Sequence, residues 1–261
     1  MSTSRLLFDV EETIAYVTFN RPEARNAMTR EMYDELVAVC DRVEADGGIR
    51  VLVLRGAGGK AFASGTDISE FTAFRSREDG IRYEHQLDAV IDRLERVRIP
   101  TIAAIQGVAT GGGCAIALAC DLRVCTPESR LGIPIARTLG NCLSAATYAR
   151  LVDLVGPARV KDLLFTGRLV DAAEAASLGL VTRIVESSSL AESVRELAST
   201  IASNAPLTIR ATKEMIRRIQ TARRIAPADA DDLIVMCYTS DDFKEGVDAF
   251  LAKRRPQFKG K

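Results

Sequence analysis

An α/β fold followed by a wholly helical region is the fold class that this 261-residue sequence predicts, and three observations predict it. Short β-branched apolar runs such as Val51 to Leu54 and Thr101 to Ile105 alternate with helical patterns, as in a largely parallel sheet layered with helices. A glycine-rich stretch follows each of those two runs and leads toward a helix, the place where such folds bind ligands. From about Ser189 onward only helical periodicity remains. The division is drawn at residues 1–195 for the α/β core and 196–261 for the helical region.

Taken in order, Arg5 to Val10 and Thr13 to Phe19 alternate as two strands joined at Glu11 and Glu12, a hairpin. Thr29 is placed to cap a helix carrying Met32, Leu36, Val39, Cys40 and Val43 on one face, and Gly47 and Gly48 end it. Val51 to Leu54 is a strand, Tyr83 to Val97 a helix, Thr101 to Ile105 a second buried strand, and Cys114 to Cys120 a small-residue buried helix. Leu122 to Cys125 and Leu131 to Ile133 read as short strands. Leu143 to Val155 and Pro157 to Leu164 read as helices, with Pro157 in a favourable first turn. Asp171 and Glu174 make a capping box for another helix. Ile209 to Arg224, Pro227 to Tyr238 and Asp242 to Lys253 complete the helical region.

Charge and cysteine usage exclude several function classes. Lys+Arg and Asp+Glu both number 35, which argues against nucleic-acid and membrane partners, since both need a basic surface. The partner is expected in a pocket. The six cysteines form no C-x-x-C pair and mostly sit in apolar runs, as small core residues and not as metal ligands, so no metal site is expected. This usage, and the lack of a leader pattern before Arg5, point to a reducing cytoplasm. Ile99 to Cys120 carries no formal charge, yet Pro100, Gln106 and four glycines would break a membrane helix there.

The two glycine-rich stretches run from Arg55 to Ile68 and from Ile105 to Ala115. Glycine there permits positive φ and removes every Cβ between a ligand and the main-chain N–H groups. Two such loops, one N–H from each, can surround a single oxygen as an oxyanion hole, which suggests a reaction through an enolate or tetrahedral oxyanion. Several further segments stand in a definite order with these loops: Asn20 to Met28, Cys120 to Arg123, Leu163 to Arg168, Ala172 to Val181 and Phe250 to Arg254. Together they resemble the enoyl-CoA hydratase/isomerase (crotonase) superfamily over nearly the whole chain.

The resemblance implies a crotonase-like spiral of ββα repeats whose C-terminal helices cover the active site and pack homotrimers, as trimers or dimers of trimers. It implies an acyl-CoA thioester as partner, with coenzyme A entering as part of the substrate and no permanently bound cofactor. The backbone N–H groups of Thr66 and Gly112 are then the oxyanion donors, with Gly111 in the same turn. Ala24, Arg25, Ala63, Asp67 and Ile68 fall where relatives meet the CoA moiety, and Lys253 belongs to a basic C-terminus placed to reach a neighbour's CoA phosphates. The two hydratase glutamates are replaced, by this resemblance, with Ala115 and Ile135, and neither side chain can move a proton.

Other residues stand in as candidates. Gly140-Asn141-Cys142 resembles the stretch in which chlorobenzoyl-CoA dehalogenases carry a nucleophilic aspartate, and a thiol at a helix N-terminus is expected to have a depressed pKa. Cys142 is also read as a packing residue. Arg137 stands as a ligand for a substrate carboxylate or as a surface arginine. His85 is the only histidine, so any scheme that needs one must use it. Phe62, Phe71, Phe74 and Tyr83 line an acyl pocket or pack the core. The function expected is lyase or isomerase chemistry on a CoA thioester, decarboxylation included, because a leaving carboxylate needs no enzyme base. Two alternatives stay open, a CoA-thioester hydrolase or dehalogenase using Cys142 or water, and a non-catalytic acyl-CoA-binding protein.

Overall fold

The computed structural model describes residues 4–261. In chain order the strands are β1 (Leu6–Glu11), β2 (Ile14–Phe19), β3 (Val51–Gly56), β4 (Ala61–Ala63), β5 (Thr101–Ile105), β6 (Val108–Thr110), β7 (Leu122–Cys125), β8 (Arg130–Gly132), β9 (Val170–Asp171) and β10 (Arg183–Ile184). The helices are α1 (Arg30–Ala45), α2 (Arg77–Glu95), α3 (Gly112–Ala119), α4 (Ile135–Thr138), α5 (Ala145–Thr166), α6 (Ala172–Ser177), α7 (Leu190–Ser203), α8 (Pro206–Thr221), α9 (Asp231–Tyr238) and α10 (Asp241–Leu251). Capping fixes many of the starts. Thr29 accepts from the Met32 N–H, Ser144 from Thr147, Asp171 from Glu174 and Ser240 from Phe243.

The strands form two sheets. The larger has the order β1-β2-β3-β5-β7-β10, antiparallel in the β1–β2 hairpin and parallel beyond it. Alternation along β3 divides its side chains: Leu52 and Leu54 enter the main core with α1, α2 and α3, whereas Val51 and Val53 face the opposite side. That far face is covered by Leu190, Val194, Leu197 and Ala198 of α7, at the three- and four-residue spacing of one helix stripe. Residue 195, where the sequence reading divides core from helical region, lies inside this helix.

In the smaller sheet, β4-β6-β8-β9, only β8 was anticipated, as the short strand read at Leu131 to Ile133. Its strands are two or three residues long, too short to show an alternation, and β4 and β6 lie between the long strands β3 and β5 and the helices that follow them. The four-residue α4 was also unforeseen. Helix α5 divides where two helices were expected: Gly156 is non-helical at φ 76, and Pro157 begins the second run. No helix among the described residues is long and apolar enough to cross a membrane.

Candidate active site

The two glycine-rich loops leave adjacent strands. β4 and β6 pair in parallel, Ala61 with Val108 and Ala63 with Ala109, so the chain exits both at one edge of the small sheet. Gly65 and Gly111 then take φ values of 100° and 53°, open to glycine and strained for other residues. The loops touch: a β-carbon on Gly65 would lie 3.3 Å from the Thr110 carbonyl oxygen and 3.7 Å from the Gly112 nitrogen.

Thr66 is held from both sides. Met28 N–H donates to the Gly65 carbonyl and Asp67 N–H to the Met28 carbonyl, each at 2.8 Å. The Thr66 N–H itself has no partner among the described residues, and neither has the N–H of Gly112, the first residue of α3 and one of its unpaired helix-start donors. A β-carbon on Gly112 would stand 3.7 Å from the Thr66 nitrogen, 3.3 Å from Thr66 Oγ1 and 2.5 Å from Tyr33 Oη. Two unpaired amides and a hydroxyl therefore lie close together at this turn.

Thr66 Oγ1 ties this turn to two helices. It lies 2.8 Å from Tyr33 Oη of α1 and 2.6 Å from Tyr83 Oη of α2. Burial pushes both phenols well above the ordinary tyrosine range, so both stay protonated. Tyr83 also belongs to an aromatic cluster with Phe71, Phe74, Tyr238 and Phe243, whereas Phe62 is fully buried edge-on against Phe19 in the main core. Tyr33 and Tyr83 share the wall of a cavity of about 580 Å³ between α1 and α2.

The segment after β2 docks on the second loop. Arg25 carbonyl accepts from Ser64 N–H at 3.1 Å, and Ala24 carbonyl from Ser64 Oγ at 3.4 Å. Buried Asn26 clamps it, donating to the Ala57 and Ala61 carbonyls at 3.0 and 2.8 Å while accepting from Arg21 N–H at 3.0 Å. Asp67 is paired with Arg21 at 3.0 Å. Burial opposes its charge, but hydrogen bonds from Ser69 and Arg21 outweigh that and hold the carboxyl below its usual range. Ala24, Arg25, Ala63, Asp67 and Ile68 are thus neighbours in space, and Arg25 is exposed. Lys253 is exposed beyond α10, and no hydrogen bond or ion pair among the described residues ties it to them.

The remaining candidates are dispersed. Ala115 in α3 and Ile135 at the start of α4 are buried in the main core. Arg137 is exposed on α4 and packs against the turn at Gly167. His85 joins α2 to α9 through Asp231, 2.8 Å away. Cys142 is buried, its thiol donating to the Leu233 carbonyl at 3.7 Å. A hydrogen bond with Cys237, then burial, push this thiol up, opposite to the depressed value expected of a helix start. One residue separates it from Ser144, the cap of α5, yet helix-start amides do not outweigh its buried surroundings.

Sequence reading did not single out Tyr33, Glu84 or Tyr238. Glu84 is fully inside, and burial pushes its carboxyl up to about 8 although the Tyr238 hydroxyl donates to it. Asn141 donates to the same Tyr238 oxygen at 3.1 Å, and Ser144 Oγ to Asp88, one helical turn from Glu84. A carboxylate on the core face of a predicted helix was the one available signal for Glu84.

Comparison with known proteins assigns the family. A model described as enoyl-CoA hydratase/isomerase matches residues 9–261. A short-chain-enoyl-CoA hydratase of Clostridium acetobutylicum is 36% identical over 256 residues, covering 98% of this chain and 97% of that protein. A solved enoyl-CoA hydratase/carnithine racemase from Magnetospirillum magneticum is 35% identical, with a TM-score of 0.81 over 100% of this chain and 97% of that one. A methylmalonyl-CoA decarboxylase solved with 2-nitronate-propionyl-CoA is 25% identical, with a TM-score of 0.90 over 100% of both chains. With a family model over residues 9–261 and relatives matched along nearly its whole length, the chain belongs to the enoyl-CoA hydratase/isomerase family of acyl-CoA-processing enzymes.

Proposed function

We propose that this protein stabilises the enolate of a CoA thioester between the Thr66 and Gly112 N–H groups and reaches it as a lyase, by loss of a carboxylate from the α-carbon. The observation that carries the reading is that these two amides lie close together without partners among the described residues. A preorganised donor pair of this kind is worth about 3 kcal/mol of barrier for each donor. Decarboxylation fits the surroundings because the breaking C–C bond supplies the electrons and no base is needed. Ala115 and Ile135, at the positions where the resemblance puts the hydratase glutamates, offer no acid or base. The likeness to a methylmalonyl-CoA decarboxylase points the same way.

In this reading the CoA moiety lies along Ala24, Arg25, Ala63, Asp67, Ile68 and Gly111, and exposed Arg137 is free to meet a carboxylate. The assembly is a homotrimer in the cytoplasm, with Lys253 of one protomer meeting the CoA phosphates of its neighbour. A Cys142 nucleophile is disfavoured by its buried, protonated thiol. The relatives named as hydratases favour hydration as the second reading.

Methylmalonyl-CoA and crotonyl-CoA offered separately to the purified protein, with CoA binding followed in the same samples, test the choice. Release of carbon dioxide without hydration is the expected result. Hydration at about 1–1000 per second would replace this reading with the second one. Binding without turnover of either would favour a binding protein.

A further inference from the structure

Decarboxylation needs no base, but the enolate it leaves needs a proton, and neither Ala115 nor Ile135 holds one. Near the amide pair the structure has three hydroxyls, buried Tyr33 and Thr66 and half-buried Tyr83, joined by two contacts of 2.8 and 2.6 Å. Three O–H protons and two contacts leave one proton unused within the cluster. Neither tyrosine hydroxyl has a second hydrogen-bond partner among the described residues. Tyr33 Oη is the hydroxyl beside the Gly112 α-carbon, at 2.5 Å from where a β-carbon would stand. With Tyr83 donating to Thr66 and Thr66 to Tyr33, one of the two directions the contacts allow, the spare proton is on Tyr33, beside the two amides. Bonds in one direction along such a chain strengthen one another.

We propose that the Tyr33 hydroxyl is the proton donor to the enolate held by Thr66 and Gly112, and that the Thr66 and Tyr83 hydroxyls return the proton from the cavity between α1 and α2. The inference rests on the enolate reading above. The step balances. Carbon dioxide leaves without the electrons of its C–C bond, and the enolate α-carbon takes the Tyr33 proton. Tyr33 then takes the proton of Thr66, Thr66 that of Tyr83, and Tyr83 one from cavity water, whose hydroxide combines with carbon dioxide as bicarbonate. Burial, which keeps both phenols protonated, suits Tyr33 to hold its proton until a carbanion arrives.

The test compares wild type with Tyr33→Phe, Tyr83→Phe, Thr66→Ser and Thr66→Val, using 2-nitronate-propionyl-CoA as a stable carbanion, propionyl-CoA as its neutral counterpart, and methylmalonyl-CoA turnover. Tyr33→Phe is expected to weaken the nitronate about tenfold or more and propionyl-CoA by about threefold or less, as for a hydrogen bond made to charge. Turnover falls about 100-fold with it. Tyr83→Phe leaves nitronate affinity within about threefold but slows turnover about tenfold or more, and Thr66→Ser retains what Thr66→Val loses. Equal weakening of both ligands by Tyr33→Phe, or of neither, overturns the proposal and leaves the enolate reading standing. A wild-type protein that binds neither CoA compound and releases no carbon dioxide overturns the enolate reading, and this inference with it.

Discussion

Glu84 shows how far one side chain can depart from its usual chemistry. Unfolded, it releases its proton near 4.5, and folded near 8, so between those values the unfolded state binds fewer protons and stability falls as pH rises. The loss is at most about 1.4 kcal/mol per pH unit. Glu84→Gln removes it, so urea unfolding of the variant and wild type is expected to show an advantage for the variant that grows from pH 5 to pH 8. A constant difference would mean that Glu84 is ionised in the folded protein. At this scale legibility was uneven. Gly65 and Gly111 were readable because a positive φ leaves a compositional mark. Tyr33, Thr66 and Tyr83 were not readable together, because no periodicity links hydroxyls on a helix, a loop and another helix. The direction for Cys142 was wrong because proximity to a helix start reveals nothing of what is packed over the thiol.

Among elements, the long ones were legible, and of the short ones β7 and β8 were read whereas β4, β6, β9 and α4 were not. The hairpin, α1 with its Thr29 cap, and the strands β3 and β5 all follow patterns that span several residues. β4 and β6 carry too few residues for a pattern, yet they set the spacing of the two loops. The segment that steadies them is the turn after β2, through Asn26. Asn26→Ala removes three hydrogen bonds and leaves two carbonyls short of a donor, a loss of about 2–3 kcal/mol. Acyl-CoA affinity is expected to fall with it, because both loop exits loosen. Unfolding and acyl-CoA titration on the same variant check this, and unchanged affinity at reduced stability would detach the clamp from the site.

Over the whole molecule, the two sheet faces are treated alike, one closed by α1 to α3 and the other by α7, whereas α8 buries none of its residues. Leu207, Met215, Ile216 and Ile219 on α8 are each more than half exposed, from 53% to 76%. An apolar stripe of that size belongs against another protein surface, and a homotrimer would cover it. Sedimentation is expected to give three copies for wild type and one for Ile216→Glu. A monomeric wild type would remove the trimer from the proposed function. The feature with the widest consequence remains the pair of amides at Thr66 and Gly112. Main-chain groups are not encoded by side-chain identity, so point mutation rarely deletes them while the loops keep their path. In the proposed reading, a lineage built on such a pair can exchange the reacting side chains around it, one residue at a time, while it keeps its grip on the substrate.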